Sequence, residues 1–151
     1  MQLLSKVLSG VLYGGAVGAS LAVLAHYMRD QHNATIRKGL VARFPDLAEY
    51  GFLLDHLCKI EPFASSEDVT FIGEQLGALA RYDCDPKSRS TQSNRVAERA
   101  IARHRQVAHA LRFSPNVDHR LIAEELSPDD FAQRCRDIVH NIVLKSSKTH
   151  S

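Results

Sequence analysis

The sequence predicts an all-α protein in which one N-terminal transmembrane helix precedes a small helical bundle. Residues 7–28 contain no Asp, Glu, Lys or Arg. From residue 45 onward, apolar side chains recur at spacings of three and four, the period of a helix with one buried face. No segment alternates apolar and polar residues over a length that predicts a strand.

The 151 residues divide by composition into three parts. We predict an N-terminal membrane anchor at 1–32, a helical interaction domain at 33–144 and a polar tail at 145–151. A chain of this length has room for one hydrophobic core of ordinary size.

The apolar segment 7–28 is long enough to cross a bilayer. As a helix its 22 residues would reach about 33 Å, against about 30 Å for a hydrocarbon core. A buried helix in water is the second interpretation, but its four glycines would each cost up to about 1 kcal/mol of helix propensity there. A cleaved export signal is the third, because Val23-Leu24-Ala25 resembles a cleavage site. We expect a retained span.

Small residues form one stripe along this predicted span. They recur every four residues, at Gly10, Gly14, Gly18 and Ala22. Such stripes let a second helix approach closely within a membrane. We therefore predict that these four residues pack against another helix.

Flanking charges predict the orientation of the span. One basic side chain, Lys6, precedes it, whereas four bases and one acid follow within fifteen residues. The positive-inside rule places the bulk of the chain on the cytoplasmic or equivalent side. The sequon at Asn33 would then face the wrong compartment, so we interpret it as chance.

Two helices are predicted to form a hairpin after Pro45. The first covers 46–60 and the second covers 66–82, capped by Ser65 or Ser66. Their predicted buried faces contain Leu47, Tyr50, Leu54, Leu57 and Cys58 in the first, and Val69, Ile72, Leu76 and Leu79 in the second.

Three more helices are predicted beyond a polar loop at 83–94. They cover 94–112, 118–126 and 128–144, with Ser127 as the cap of the last. The apolar positions are Val96, Ala100, Val107 and Leu111 in the long helix, and Phe131, Cys135, Ile138, Val139 and Ile142 in the last helix.

Charge is segregated along the helical domain. Residues 44–83 contain eight acids and two bases, a net charge of −6, whereas residues 87–112 contain seven bases and one acid, a net charge of +6. The two blocks are expected to neutralise each other, either within one molecule or between neighbours.

Arg95, Arg99 and Arg103 step by four along the basic helix and are predicted to form an exposed row. Guanidinium rows bind carboxylates, phosphates or anionic lipid headgroups, and a solvated helix face is the alternative. Nucleic acid is not expected as a partner, because no aromatic residues are interleaved with the arginines.

The sequence shows no pattern typical of catalysis or of metal and cofactor binding. It has no GxSxG, P-loop or CxxC motif, and the eight histidines form no HxxxH pair. Cys84 lies between two aspartates, which disfavour its thiolate. We expect three reduced cysteines, no cofactor, no metal and no enzyme activity.

The segment FPDLAEYGFLLDHLCKIEP, residues 44–62, follows a single predicted span and opens a helical domain. In this arrangement the chain resembles the membrane-anchored minor capsid proteins of large icosahedral DNA viruses that enclose an internal membrane. The resemblance implies a structural protein in the inner membrane of a virion, bound to neighbouring capsid proteins. The alternatives are an accessory subunit of a large organellar membrane complex and a membrane-tethered binder of nucleic acid or anionic lipid.

Overall fold

The computed structural model describes residue 31 and residues 33–149. Within this part every regular element is helical and no strand occurs, which confirms the all-α prediction. The predicted span 7–28, with Gly10, Gly14, Gly18 and Ala22, lies outside the described residues. Among the helices that are described, none combines the length and the apolar character needed to cross a membrane.

The chain divides into two compact units, Met1–Ile36 and Arg37–Ser151. In the smaller unit the described residues 33–36 are helical, and the Thr35 hydroxyl donates to the carbonyl of Gln31 at 3.0 Å. The boundary between the units falls four residues after the predicted end of the anchor.

Helices of the larger unit follow one another with short connections. In chain order they are α1 (37–43), a 3₁₀ turn (Pro45–Leu47), α2 (Gly51–Ile60), α3 (Ser66–Cys84), α4 (Pro86–Arg112), α5 (Val117–Glu125) and α6 (Pro128–Thr149).

The first helix of the predicted hairpin begins later than expected. Pro45 starts a 3₁₀ turn in which Ala48 N–H donates to the Pro45 carbonyl, and a second tight turn brings Tyr50 N–H to the Leu47 carbonyl. These shorter bonds delay the α-helix to Gly51. The second helix begins as predicted, since the Ser65 hydroxyl oxygen accepts a hydrogen bond from Asp68 N–H at 3.1 Å.

The predicted loop 83–94 is wrong. Only Asp85 separates α3 from α4, and Pro86 occupies the first turn of α4. Proline is well suited to that position, because its missing N–H has no partner in the first turn. Farther along the segment the polar side chains of Thr91 and Gln92 face water, so a polar composition is compatible with a helix here. Ser93, the next residue, is buried.

The last helix continues past residue 144 to Thr149, so most of the predicted polar tail is helical. No glycine or proline interrupts residues 145–149, and nothing else in the sequence ends the helix. Ser127 precedes α6 with φ at 45°, in the left-handed region, and its carbonyl accepts from Phe131 N–H at 3.1 Å.

The core lies around α4, which packs against α3, α5 and α6, while α2 packs against α3 and α6. Alanines at buried positions of α4 let these neighbours approach closely. The side chains predicted to be buried are buried, except Tyr50, Cys58 and Val139, which are half-buried. Among the largest fully buried side chains are Phe131, Leu53, Leu57, Ile72, Leu76, Leu79 and Ile101.

Candidate docking surface

The solvent side of α4 carries a concentration of unshielded positive charge. Arg95, Arg99, Arg105 and Arg112 are all exposed, and we call these four residues the basic face. From Arg95 to Arg112 the face extends about 26 Å along the helix. It is therefore long enough to contact several turns of a partner helix.

Arg103, which was predicted to complete an exposed row, points instead into the domain. Its Nη1 donates to Asp68 Oδ1 of α3 at 2.9 Å, and its guanidinium lies 4.3 Å from the ring centroid of Phe71. One third of the side chain remains exposed, so this guanidinium is held between two partners. The predicted row Arg95, Arg99 and Arg103 is thus divided, with two exposed members and one that ties α4 to α3.

Helix geometry explains the division. A step of four residues advances about 40° around the helix, so the row turns about 80° between Arg95 and Arg103. That rotation brings Arg103 to the side where α3 lies. Projecting the side chains around the helix axis, instead of counting steps of four, would have predicted that Arg105 and Arg112 lie on the side opposite Arg103.

Glu98 is the one carboxylate in α4, and it is paired with a base on another helix. Glu98 accepts two hydrogen bonds from Arg136 of α6, at 2.9 and 3.2 Å. These bonds, and to a smaller extent the charge of Arg105, hold the pKa of Glu98 below its usual range. Among the described side chains, the four arginines of the basic face form no ion pair.

Four of the eight acids in residues 44–83 form ion pairs with described side chains, and three of these four pair with bases outside the basic block. Asp55 pairs with Arg37 of α1, Arg81 donates to Asp46 at 2.7 Å, and Lys145 donates to Asp83 at 2.8 Å. Of the ion pairs between described residues, Asp68–Arg103 alone joins the acidic block to the basic block. Among the described side chains, neutralisation between the two predicted blocks is therefore limited to that pair.

Three exposed apolar side chains follow the C-terminal end of the basic face within nine residues of the chain. Phe113, Val117 and Leu121 are 72%, 57% and 56% exposed, and we call these three residues the corner patch. The ring of His109 lies 4.6 Å from that of Phe113, so the patch adjoins α4. A face with bases along its length and an aromatic residue at one end has the composition of a protein interface.

Beside the patch, an open groove of 620 Å³ separates the second half of α4 from the start of α6. Its lining surface is more apolar than polar and includes two arginines of the basic face. The lining residues are Arg105, Gln106, Ala108, His109, Ala110, Arg112, Pro128 and Asp129. The groove thus continues the basic face toward α6.

The comparisons with known proteins identify no family for this chain. The chain matches no protein-family model, no curated protein and no solved structure. Its function has to be inferred from the surface and the interior described above.

A buried cluster joins α2, α4 and α6 on the inner side of the bundle. His104 is fully buried and stacks on Phe131 with ring centroids 4.1 Å apart. His56 Nε2 lies 3.1 Å from Asp130 Oδ2 of α6. We call His56, His104, Asp130 and Phe131 the histidine cluster; periodicity gave no sign of it, because it forms only when three helices meet.

Burial sets the charge state of this cluster. It lowers the pKa of His104 to about 3, and the neighbouring His56 contributes in the same direction. Burial also lowers the pKa of His56, although the bond to Asp130 acts against this effect. Both imidazoles are therefore neutral at physiological pH.

The described residues include no group of three or more His, Cys, Asp or Glu side chains placed to hold a metal ion. Cys58, Cys84 and Cys135 are unpaired thiols. Burial raises the pKa of Cys135 to about 12, which removes its thiolate at neutral pH. Cys58 is affected in the same direction by its partial burial.

Proposed function

We propose that this chain is a non-enzymatic structural protein that tethers a membrane to a large protein assembly. Residues 7–28 would cross the membrane once, and the helical domain would bind a neighbouring protein on the cytoplasmic or equivalent side. By its resemblance to minor capsid proteins, we propose a virion as the assembly, with the anchor in the inner membrane beneath the capsid.

The basic face is the observation that carries the proposal. Arginines elsewhere in the domain, such as Arg37, Arg81 and Arg136, are paired with carboxylates, whereas the basic face has none among the described side chains. Guanidinium groups bind carboxylates in a planar, two-bond geometry, so a partner with an acidic helix or loop fits this surface.

The corner patch supports a protein rather than a nucleic acid as the partner. Exposed aromatic and aliphatic side chains next to arginine are typical of the well-packed centre of an interface. A single-stranded nucleic acid would need aromatic residues between the arginines, and the exposed face of α4 has alanine and glutamine there, at Ala102 and Gln106.

Charge reversal of the basic face tests the docking half of the proposal. The full-length chain would be expressed with an affinity tag in its native host, extracted in mild detergent and analysed by mass spectrometry. The variant Arg95→Glu with Arg99→Glu is expected to lose the partner at least tenfold, because two attractive contacts become repulsive. The matched control, Lys38→Glu with Lys59→Glu, makes the same change in net charge at exposed sites outside the basic face. It is expected to retain the partner.

The identity of the captured protein separates the alternatives. Capsid proteins that depend on the basic face support the virion tether, whereas organellar subunits would replace it with an accessory-subunit function. Equal recovery by wild type and the Arg95/Arg99 variant contradicts docking through this surface. Vesicles with and without anionic lipid then test the basic face as a lipid-binding surface.

Two further measurements test the anchor. Resistance of the full-length chain to alkaline extraction of membranes is expected if 7–28 is a span. Replacement of Gly14 and Gly18 by leucine is expected to keep this resistance and to weaken association with another helix. If assembly is unchanged by that replacement, the small-residue stripe reflects composition alone.

A further inference from the structure

We propose that the histidine cluster is an acid-sensitive latch, which holds α6 against α2 and α4 at neutral pH and releases α6 when the surroundings become acidic. The inference is independent of the proposed function. It concerns the interior of the bundle and uses none of the residues of the basic face.

The latch depends first on how completely His104 is enclosed. The side chain is 0% exposed, and its ring lies nearly parallel to that of Phe131, with an interplanar angle of 13°. Neither ring nitrogen of His104 has a hydrogen-bonding partner among the described residues. The site therefore accepts a flat ring but offers no acceptor for the second N–H that protonation adds.

His56 completes the latch from α2. It is 6% exposed, its ring meets that of His104 edge to face at 5.8 Å, and its Nε2 lies 3.1 Å from Asp130 Oδ2. The charged groups acting on His56 are Asp130 on α6 and Lys59 on α2, and Arg134, one turn along α6, lies 3.6 Å from Asp130 Oδ1. The titratable group that acts on His104 is His56. Protonated His104 would therefore meet a second imidazole instead of a carboxylate.

Protonation of His104 favours the released state. A free histidine has a pKa near 6.5, whereas enclosure lowers the pKa of His104 to about 3. Because the enclosed pKa is depressed, His104 supports closure fully above about pH 6.5 and loses that support as pH falls toward 3. At pH 4.5 this difference favours the released state by roughly 100-fold relative to pH 8.

Asp130 is the weaker part of the device. The bond from His56 holds the pKa of Asp130 below its usual range, so the carboxylate stays ionised through most of this interval. Protonation of Asp130 is therefore not what opens the latch. His104 makes the main contribution to release in acid, and His56, whose pKa burial also lowers, adds to it in the same direction.

Cys135 provides a native reporter of release. It is fully buried, on α6, one turn after Phe131, whereas Cys84 is exposed and Cys58 is half-buried. In the full-length chain with Cys58→Ala and Cys84→Ser, Cys135 is the only thiol. The aromatic disulfide 4,4′-dithiodipyridine labels thiols even in acid, forming a mixed disulfide and releasing one countable thiopyridone.

The experiment measures the labelling rate of Cys135 in detergent from pH 8 to pH 4.5, divided at each pH by the rate for a cysteine peptide. For the Cys58→Ala, Cys84→Ser parent chain, which keeps His104, the normalised rate is expected to rise roughly 100-fold between pH 8 and pH 4.5. His104→Leu, of similar volume, should reduce the rise to a few-fold, and His104→Phe serves if the leucine variant does not fold. His140→Gln, at an exposed position of α6, is the matched control and should behave like the parent.

Three results would overturn the latch. One is a constant normalised rate in the parent chain. Another is the same acid-induced rise in the His104 variants, which would assign the effect to carboxylates. The third is loss of all helical circular dichroism at the pH where Cys135 becomes reactive, which would mean global unfolding instead of release of α6.

Discussion

Gly73 marks the closest approach between the chain leading into the bundle and α3. A methyl group added at Gly73 would lie well within 3.0 Å of the ring of Phe44, a separation that real Cβ atoms essentially never show. Phe44 is only 9% exposed and immediately precedes the 3₁₀ turn at Pro45, so its ring has little freedom to move. Gly73→Ala is therefore expected to push Phe44 out of its site.

A second glycine on the same helix isolates this effect. At Gly77 the added methyl would meet Arg81 Nη1 at 3.7 Å and Asp46 Oδ2 at 3.9 Å, which are ordinary contacts. Gly77→Ala should gain about 0.5–1 kcal/mol of stability from helix propensity and a less flexible unfolded chain. Gly73→Ala gains the same amount and also pays an overpacking cost of about 1–3 kcal/mol. The free energy of unfolding of Gly73→Ala should thus be about 1–3 kcal/mol lower than that of Gly77→Ala.

Urea unfolding of the full-length chain in one detergent, followed by circular dichroism, measures this difference. Phe44→Leu removes the edge of the ring, so its combination with Gly73→Ala should recover much of the loss in a double-mutant cycle. Equal stability of the two alanine variants, or a coupling energy near zero between positions 44 and 73, would refute the reasoning.

Three further predictions concern single side chains. Arg103→Ala should lower the free energy of unfolding by about 1–2 kcal/mol through loss of its ion pair and ring contact, whereas Arg99→Ala should change it by less than about 0.5 kcal/mol, as urea titrations would show. Ser65→Ala should cost about 1 kcal/mol by the same measurement, because α3 loses its cap. At neutral pH a disulfide reagent should modify the exposed Cys84 first and Cys135 much more slowly, because Cys135 is buried and its burial raises the pKa of its thiol to about 12. Equal rates in a mass-resolved time course would contradict the burial of Cys135 on α6.

Periodicity predicted the interior of this domain well. The stripe Val69, Ile72, Leu76 and Leu79 is buried as expected, because a helical period of 3.6 residues fixes which side chains share a face. The loop at 83–94 was predicted from composition and is wrong. Polar residues disfavour burial, but they do not disfavour a helix whose polar positions face water, so composition misplaced the start of α4 by eight residues.

The surface was harder to predict because its pairing depends on tertiary neighbours. Whether Arg103 is free or bound depends on the position of α3, and whether Glu98 neutralises α4 depends on Arg136, 38 residues away. The histidine cluster depends on three helices at once. No pattern within one helix contains that information, and the spacing of four gave two of the four residues of the basic face.

The basic face has a cost to the isolated domain that supports a role in docking. Arg95 and Arg99 lie one turn apart, and like charges at that spacing destabilise a helix by about 0.2–0.5 kcal/mol. The chain has enough acids to remove the repulsion, but three of those that form ion pairs contact Arg37, Arg81 and Lys145 instead. A surface that leaves like charges together while pairing charges elsewhere is better matched to an external partner than to its own stability. On this argument an acidic partner should raise the unfolding temperature of the wild-type chain more than that of the Arg95→Glu, Arg99→Glu variant, and the difference should shrink in high salt as the charges are screened.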